Sequence, residues 1–365
     1  MSTGTTDTST GDTVFNPLDS RHIRDPYPLL RDHPPVACPF SGFRVVVSDA
    51  VSRTVLRDAA SFSSQANNTV AAQATAPEKV PALSQLDAPE HTRLRALIRG
   101  QFTAKALADL EPVLAAHART HAAAAEDLVT DFAEPLPALA LAEFLELPSD
   151  LVRRWVSEFT TLVGYETAPG WSEFRDHVGG LRLRRFPDLT APERRMLVHF
   201  LVVAGVRNVT HLIGNLLHRL LISRMWPLPA EHLGAAVEES LRHEPPALWS
   251  MRTATRPCPV GDTPVAAGER IFVVTAGANR DPRRWPDPDE FRLHRPGAAG
   301  HLSFGTGPHA CLGATFTRLQ AQIYLRVLAE TAPRLRLADG FSYRSTGDLM
   351  SRGPATLPVR RLPCP

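Results

Sequence analysis

Residues 196–222, MLVHFLVVAGVRNVTHLIGNLLHRLLI, are apolar around much of a helical circumference. A surface helix buries one stripe, so a segment apolar nearly all round belongs at the centre of a fold. Its start is marked by Thr190-Ala-Pro-Glu193, which fits a capping box: the threonine side chain accepts from first-turn amides and the glutamate reaches back. Gly205 and Asn208 lie inside the run, are poor helix formers, and need a reason other than propensity to be there.

Other elements arrange themselves around that helix. Alanine- and leucine-rich patterns predict helices at 90–100, 104–125 and 138–147, with another over roughly 149–163. A helix over 231–243 stops at Pro245-Pro246, and a last long helix covers 312–331. Strands are predicted at 43–49 (FRVVVSD), followed by a helix near AVSRTVLRD, and at 270–276 (RIFVVTA). Residues 60–85 read as a long loop, and the prolines of NRDPRRWPDPDEF (279–291) forbid regular structure. The length of 365 residues suits roughly two or three domains. No repeat, linker or boundary divides it, so one domain is expected over 15–365, mainly α with small β-sheets, after a disordered polar tail at 1–14.

Composition excludes some roles. At 43% hydrophobic and 21% charged the chain can bury a large core, and a net charge of +2 gives no argument for nucleic acid or a charged membrane surface. The basic run RLRLRR (181–186) reads as a solvated face or a docking patch. Cys38, Cys258, Cys311 and Cys364 are scattered, with no CxxC pair and no zinc-like spacing, as in a reducing cytosol. The N-terminal MSTGTTDTSTGDT lacks the order of a signal peptide, and no apolar run is read as membrane-spanning. The expectation is a cytoplasmic protein with no nucleic-acid or membrane partner.

Chemistry concentrates in HLSFGTGPHACLG (301–313). Gly305, Gly307 and Gly313 permit tight turns and close approach of backbone to a flat object. Cys311, just before a helix N-terminus, has amides directed at its sulfur, which favours a thiolate and hence a soft ligand for iron. A buried structural cysteine at a helix start explains the loop equally well when the loop is taken alone.

Phe304 to Gly313, F-G-T-G-P-H-A-C-L-G, resembles without a gap the haem-ligand signature of the cytochrome P-450 (haem-thiolate) family. The resemblance implies haem b (iron protoporphyrin IX) with Cys311 as axial ligand, a long central helix over the haem and the cysteine loop below it. Glu239-Ser-Leu-Arg242, followed by HEPP, resembles the family's Glu-x-x-Arg helix, and Arg295 in FRLHRP falls where its third partner stands. The spacing of three alone puts Glu239 and Arg242 on one helix face. The family uses this network structurally. LDAPEHTRLR (86–95) resembles a propionate-binding segment, which implicates His91 and Arg95, and Arg252 and His309 fall at further propionate positions.

The central helix departs from the pattern. Where the family usually has Ala/Gly-Gly-x-Asp/Glu-Thr, this chain has Ala204-Gly205-Val206-Arg207-Asn208. Ala204, Gly205, Arg207 and Asn208 are therefore the candidate catalytic positions. Dioxygen scission needs two protons, which a carboxylate relays and a threonine-held water carries. Arginine stays protonated and asparagine is no acid. Arg207 has three readings: pointing away from the haem to a carboxylate elsewhere, anchoring a substrate carboxylate as in the family's fatty-acid peroxygenases, or shaping the site for rearrangement, dehydration or radical coupling. Gly205 either allows a close helix crossing or leaves room above the iron.

The stretch 164–189 is shorter than the family's pair of lid helices, and the connection 222–231 is trimmed, so an open pocket is expected. The resemblance puts 60–85, 200–208 and 246–251 against the substrate. It implies a bacterial-type oxidoreductase acting on a small organic molecule in specialised metabolism, fed by a ferredoxin, with non-standard oxygen activation. Two alternatives stand beside it: a peroxide-dependent or non-redox catalyst, and a non-catalytic relative that binds a partner enzyme. The retained Cys311 loop argues against the last.

Overall fold

The computed structural model describes residues 14–31, 33–38, 42–65, 81–159, 170–346 and 350–362. The expected tail lies outside these apart from Val14, as do 66–80 of the long loop, 164–169 of the shortened lid, and Cys364.

The longer helices are α1 (Asp49–Arg57), α2 (Glu90–Ile98), α3 (Glu111–Ala124), α4 (Pro135–Leu145) and α5 (Ser149–Glu158). They continue with α6 (Trp171–Gly180), α7 (Ala191–Gly205), α8 (Arg207–Ile222), α9 (Leu233–His243) and α10 (Ala314–Thr331). Strands β1 (Val36–Ala37), β2 (Phe43–Val46), β3 (Phe62–Ser63), β4 (Ser250–Ala254) and β5 (Arg270–Val273) form one sheet in the order β1-β2-β5-β4-β3. In it β2 runs parallel to β5, with Phe43 opposite Arg270, and β4 runs antiparallel to β5, with Ser250 opposite Val273. Two small hairpins pair Cys258–Val260 with Thr263–Val265 and Leu335–Leu337 with Val359–Arg361. The expected class, mainly α with small sheets, is what is found.

The apolar run sits at the centre, as its composition requires. Leu212, Ile213, Leu216, Leu217 and Leu220 on α8 are all 0% exposed. They pack in one cluster with Phe132, Phe144, Tyr324 and Leu328, each buried side chain contributing about 1.5–3 kcal/mol. Residues 191–222 are in fact long and apolar enough to cross a membrane, which corrects the sequence expectation, but 67% of the most apolar stretch is buried inside the protein. A core helix meets the same criterion.

The start of α7 follows the sequence signal with one change. Glu193 accepts from both the Thr190 amide (2.8 Å) and the Thr190 hydroxyl (2.8 Å), so the threonine side chain donates to the glutamate. Glu193 also receives Arg93 of α2 at 2.6 Å, tying the two helices together.

The predicted single helix is two. α7 ends at Gly205, Val206 stands between (φ −98°, ψ −65°), and α8 begins at Arg207. The Asn208 side-chain amide donates to the Ala204 carbonyl at 3.0 Å, and the Val206 carbonyl receives the amides of Val209 and Thr210, each at 3.0 Å. Asparagine serves here because its side chain supplies a donor where the helix is interrupted. A Cβ on Gly205 would meet nothing within 4 Å, so this glycine leaves room and does not serve a close helix crossing.

Candidate active site

Cys311 stands at the junction of a tight loop and α10. Its amide donates to the Phe304 carbonyl at 2.8 Å, and the amide of Gly305 donates to Leu302 at 2.8 Å, closing the loop on itself. The loop rests on α1: a Cβ on Gly307 (φ +74°) would fall 2.6 Å from the Leu56 carbonyl oxygen and 2.9 Å from Arg57 Cα. Glycine is obligatory at 307 on both grounds. The sequence reading gave the loop glycines to tight turns and to the approach of a flat object; at Gly307 the turn is there, and the close neighbour is the backbone of α1. Gly313 caps α10, and a Cβ on it would meet nothing within 4 Å.

Two descriptions of Cys311 differ. By surface area it is exposed, yet protein desolvates its thiol and raises the pKa. Both hold for a side chain facing into a cleft walled by protein. The amides of Gly313 and Ala314 at the start of α10, with Arg95 and Arg318 nearby, oppose the burial and favour the thiolate. Arg318 is held by Glu238, at 2.5 and 2.9 Å, and lies over the Phe304 ring at 4.5 Å.

Around this cleft the structure gathers the four predicted propionate partners. The rings of His91 (α2) and His309 are 3.9 Å apart. Arg95, one turn beyond His91, donates to the Ala310 carbonyl at 2.6 Å. Arg252 on β4 is 4% exposed, and burial lowers its pKa to about 10. Burial lowers both histidines as well, His309 to about 3, with the neighbouring imidazole and guanidiniums adding to the effect. Asp87, the carboxylate acting on this group, already accepts from Ser63 Oγ (2.6 Å) and the Ser64 amide (2.9 Å). Buried His91 Nε2 has no partner. Two guanidiniums and two imidazoles thus face a shared space with a shortage of anions, a donor set that fits two propionates beside a cysteine ligand.

The Glu239 network lies next to the cleft and is buried. Arg242 grips Glu239 in a fork, Nε to Oε2 and Nη2 to Oε1, both 2.8 Å, and Arg295 Nε reaches Oε1 at 3.0 Å. The guanidiniums also donate to the carbonyls of Asn279, Pro288 and Glu290, and of Pro286, Asp287 and Glu290. Those carbonyls belong to the proline-rich segment that the sequence marked as irregular. Its backbone acceptors are met by arginine side chains in place of a ladder.

Arg207 is not brought together with the Cys311 group. It is exposed and lines a cavity of about 730 Å³ with Val203, Thr210, Glu134 just before α4 and Arg153 of α5. Ala204, Gly205 and Asn208 do not line that cavity, and in helical phase they lie across from it. Sequence reasoning missed Asp87, Arg318 and Glu238. Asp87 lay within the quoted propionate segment, whereas nothing in the sequence joins Arg318 to Glu238.

The family model for cytochrome P450 matches residues 231–330, the span from α9 through the cysteine loop to α10. The chain is 32% identical to cytochrome P450 107B1 of Saccharopolyspora erythraea over 78% of each. It is 31% identical to the erythromycin C-12 hydroxylase of the same organism, over 90% of this chain and 91% of that one. Among solved structures, cytochrome P450 CREJ in complex with (4-ethylphenyl) dihydrogen phosphate superposes with a TM-score of 0.83 at 25% identity, covering 96% of this chain and all 100% of the other. A mutant of P450 EryK in complex with erythromycin B gives 0.78 at 28% identity over 95% and 98%. This chain belongs to the cytochrome P450 family. It is a haem-thiolate oxidoreductase, and haem with a cysteine thiolate ligand is its cofactor.

Proposed function

We propose that this protein oxidises a small organic molecule of bacterial specialised metabolism, with Cys311 as the iron ligand and electrons from a ferredoxin docked on the cysteine side. Homologues named as a monooxygenase and as an erythromycin C-12 hydroxylase support the class of work. The haem, when bound, supplies the oxidising chemistry, with the thiolate pushing electron density toward O–O cleavage. His91, Arg95, Arg252 and His309 would hold its propionates, and the amides of Gly313 and Ala314 would keep the Cys311 sulfur charged. The single domain over 15–365 is part of the same proposal.

Oxygen activation in this reading is non-standard, and the observation that carries it is the Asn208 amide bound to the Ala204 carbonyl. That amide holds the helix interruption beside the open space at Gly205 but has no proton to transfer by titration. Arg207 supports the reading in which the arginine points away from the haem, because it lines a different cavity. Protons then come from water or from substrate entering the room beside Gly205. The test is the reduced carbon monoxide complex, together with turnover driven by a ferredoxin and reductase or by peroxide alone. The strongly red-shifted band is expected in the native protein and lost in Cys311→Ala, with turnover requiring the reductase chain. A band unchanged in Cys311→Ala overturns the ligand, and turnover with peroxide alone overturns the electron source.

A further inference from the structure

A second group of cations, partly or fully buried, lies away from the cysteine cleft, where the end of α8 meets Tyr27, the end of α9, Tyr343 and Arg352. The Tyr27 ring lies under Arg280, whose guanidinium carbon is 3.5 Å from the ring centroid, and Arg352 approaches the same ring at 5.6 Å. Arg352 also lies 5.1 Å from the Tyr343 ring, and Tyr343 packs on His218 at 4.8 Å. Arg219, next along α8, feels the charges of both Arg280 and Arg352, and burial lowers its pKa.

Donors outnumber acceptors in this group. Arg352 pairs with Glu244 and Arg280 with Asp289 (2.9 Å), while no carboxylate is recorded on Arg219 among the described residues. Asp25 acts on Tyr343 as a further carboxylate, and Asp289 also pairs with Arg31 (3.1 Å), which leaves Arg219 as the guanidinium of the group whose charge is least compensated. Four buried polar atoms are without a partner: Tyr27 Oη, Tyr343 Oη, His218 Nδ1 and Arg219 Nε. Each of them can donate a hydrogen bond, the imidazole nitrogen in one of its neutral tautomers. The neighbouring His243 adds no charge, because it accepts from Arg280 at Nδ1 (3.3 Å) while Nε2 donates to the Asp289 carbonyl (2.9 Å).

We infer that this cluster binds a monovalent inorganic anion, of which chloride is the type, with Arg219 as its counter-charge and the two tyrosine hydroxyls and His218 as further donors. A spherical acceptor satisfies donors that come from His218 and Arg219 on α8 and from Tyr27 and Tyr343. The bound ion acts as a fastener. Residues 350–352 pair with 246–248 through Leu248 N to Met350 O (2.9 Å) and Arg352 N to Pro246 O (2.8 Å). Resemblance sets 246–251 against the substrate, so an ion held by Tyr343 and Arg219 steadies one wall of the pocket, a consequence that rests on the proposed function. The binding itself does not.

The experiment uses the haem-loaded protein at constant ionic strength, with sodium chloride replacing sodium gluconate. The melting temperature is followed in the native protein and in the Tyr27→Phe/Tyr343→Phe and Arg219→Met variants. The native protein is expected to gain about 2–4 °C, saturating with chloride, and both variants to lose that dependence. A crystal soaked in bromide is expected to show an anomalous peak within hydrogen-bond distance of Arg219 Nε. No chloride dependence in the native protein, or an undiminished one in both variants, overturns the inference. Stabilisation by sulfate or phosphate with none by chloride overturns the assignment to a monovalent ion. The carbon monoxide band reports separately on the cysteine ligand, so failure of one reading is distinguishable from failure of the other.

Discussion

Replacing Glu239 by glutamine tests the buried network most directly. Glu239 and Arg242 are 0% exposed and Arg295 is 6% exposed, so the substitution leaves two guanidiniums in the interior with their shared carboxylate removed. Burial already lowers the Arg242 pKa despite the pairing, which shows how heavily desolvation weighs there. Removing one partner of a buried pair costs about 3–5 kcal/mol. Unfolding entropy of about 2.1 cal/mol/K per residue amounts, over 365 residues, to about 0.77 kcal/mol/K. The melting temperature should therefore fall by about 4–7 °C, measured by scanning calorimetry on the haem-loaded protein. Haem retention should fall with it, because the network holds the 279–295 segment that leads into the cysteine loop. A change below about 1 °C would refute the reasoning, since it would mean that water or backbone carbonyls already neutralise the two arginines.

Gly307→Ala should destabilise the protein by about 1–3 kcal/mol through its clash with the α1 backbone, whereas Gly313→Ala should leave the stability of the haem-free protein within about 0.5 kcal/mol; paired denaturation curves compare them. His243 must be neutral to accept from Arg280, and burial, then Arg280, lower its pKa to about 2. The unfolded chain takes up the proton near pH 6.5, so the contribution of His243 is present above that value and is lost as pH falls below it. Between pH 7 and 5 the loss is about 2 kcal/mol, and His243→Gln should flatten that part of the stability profile. Titrating the ferric protein and Arg207→Ala with matched carboxylic acids and amides should give the same haem absorption change for both ligand types in both proteins. An acid-specific change lost in Arg207→Ala would make Arg207 a carboxylate anchor.

The elements that could be read in advance are those whose signal is local. The capping box at Thr190, the three-residue spacing of Glu239 and Arg242, and the apolar circumference of 196–222 each encode their own geometry over a few residues. The interruption at Val206 was half legible: Gly205 and Asn208 looked out of place, but no pattern says that an asparagine will bond the carbonyl four residues back. Gly307 was legible as a glycine and not as a seat for α1, because its neighbour lies some 250 residues away in the chain. The 730 Å³ cavity that holds Arg207 is built from α4, α5 and the central helices together, and no single segment carries its outline. Charge clusters such as Tyr27, Arg219, Arg280 and Arg352 stay hidden for the same reason.

The seating of the cysteine loop bears on how the chain is made. Arg95 meets Ala310 across 215 positions, and Arg57 meets Thr306 across 249. A chain emerging from the ribosome completes β2, α1 and α2 long before the residues that rest on them exist. The first helices must therefore wait, their docking faces open to water, until position 311 has cleared the exit tunnel. A transcript truncated before that codon would yield a largely helical body without the cysteine proposed as the iron ligand. On the proposed ligand assignment, haem colour would report that synthesis had passed position 311.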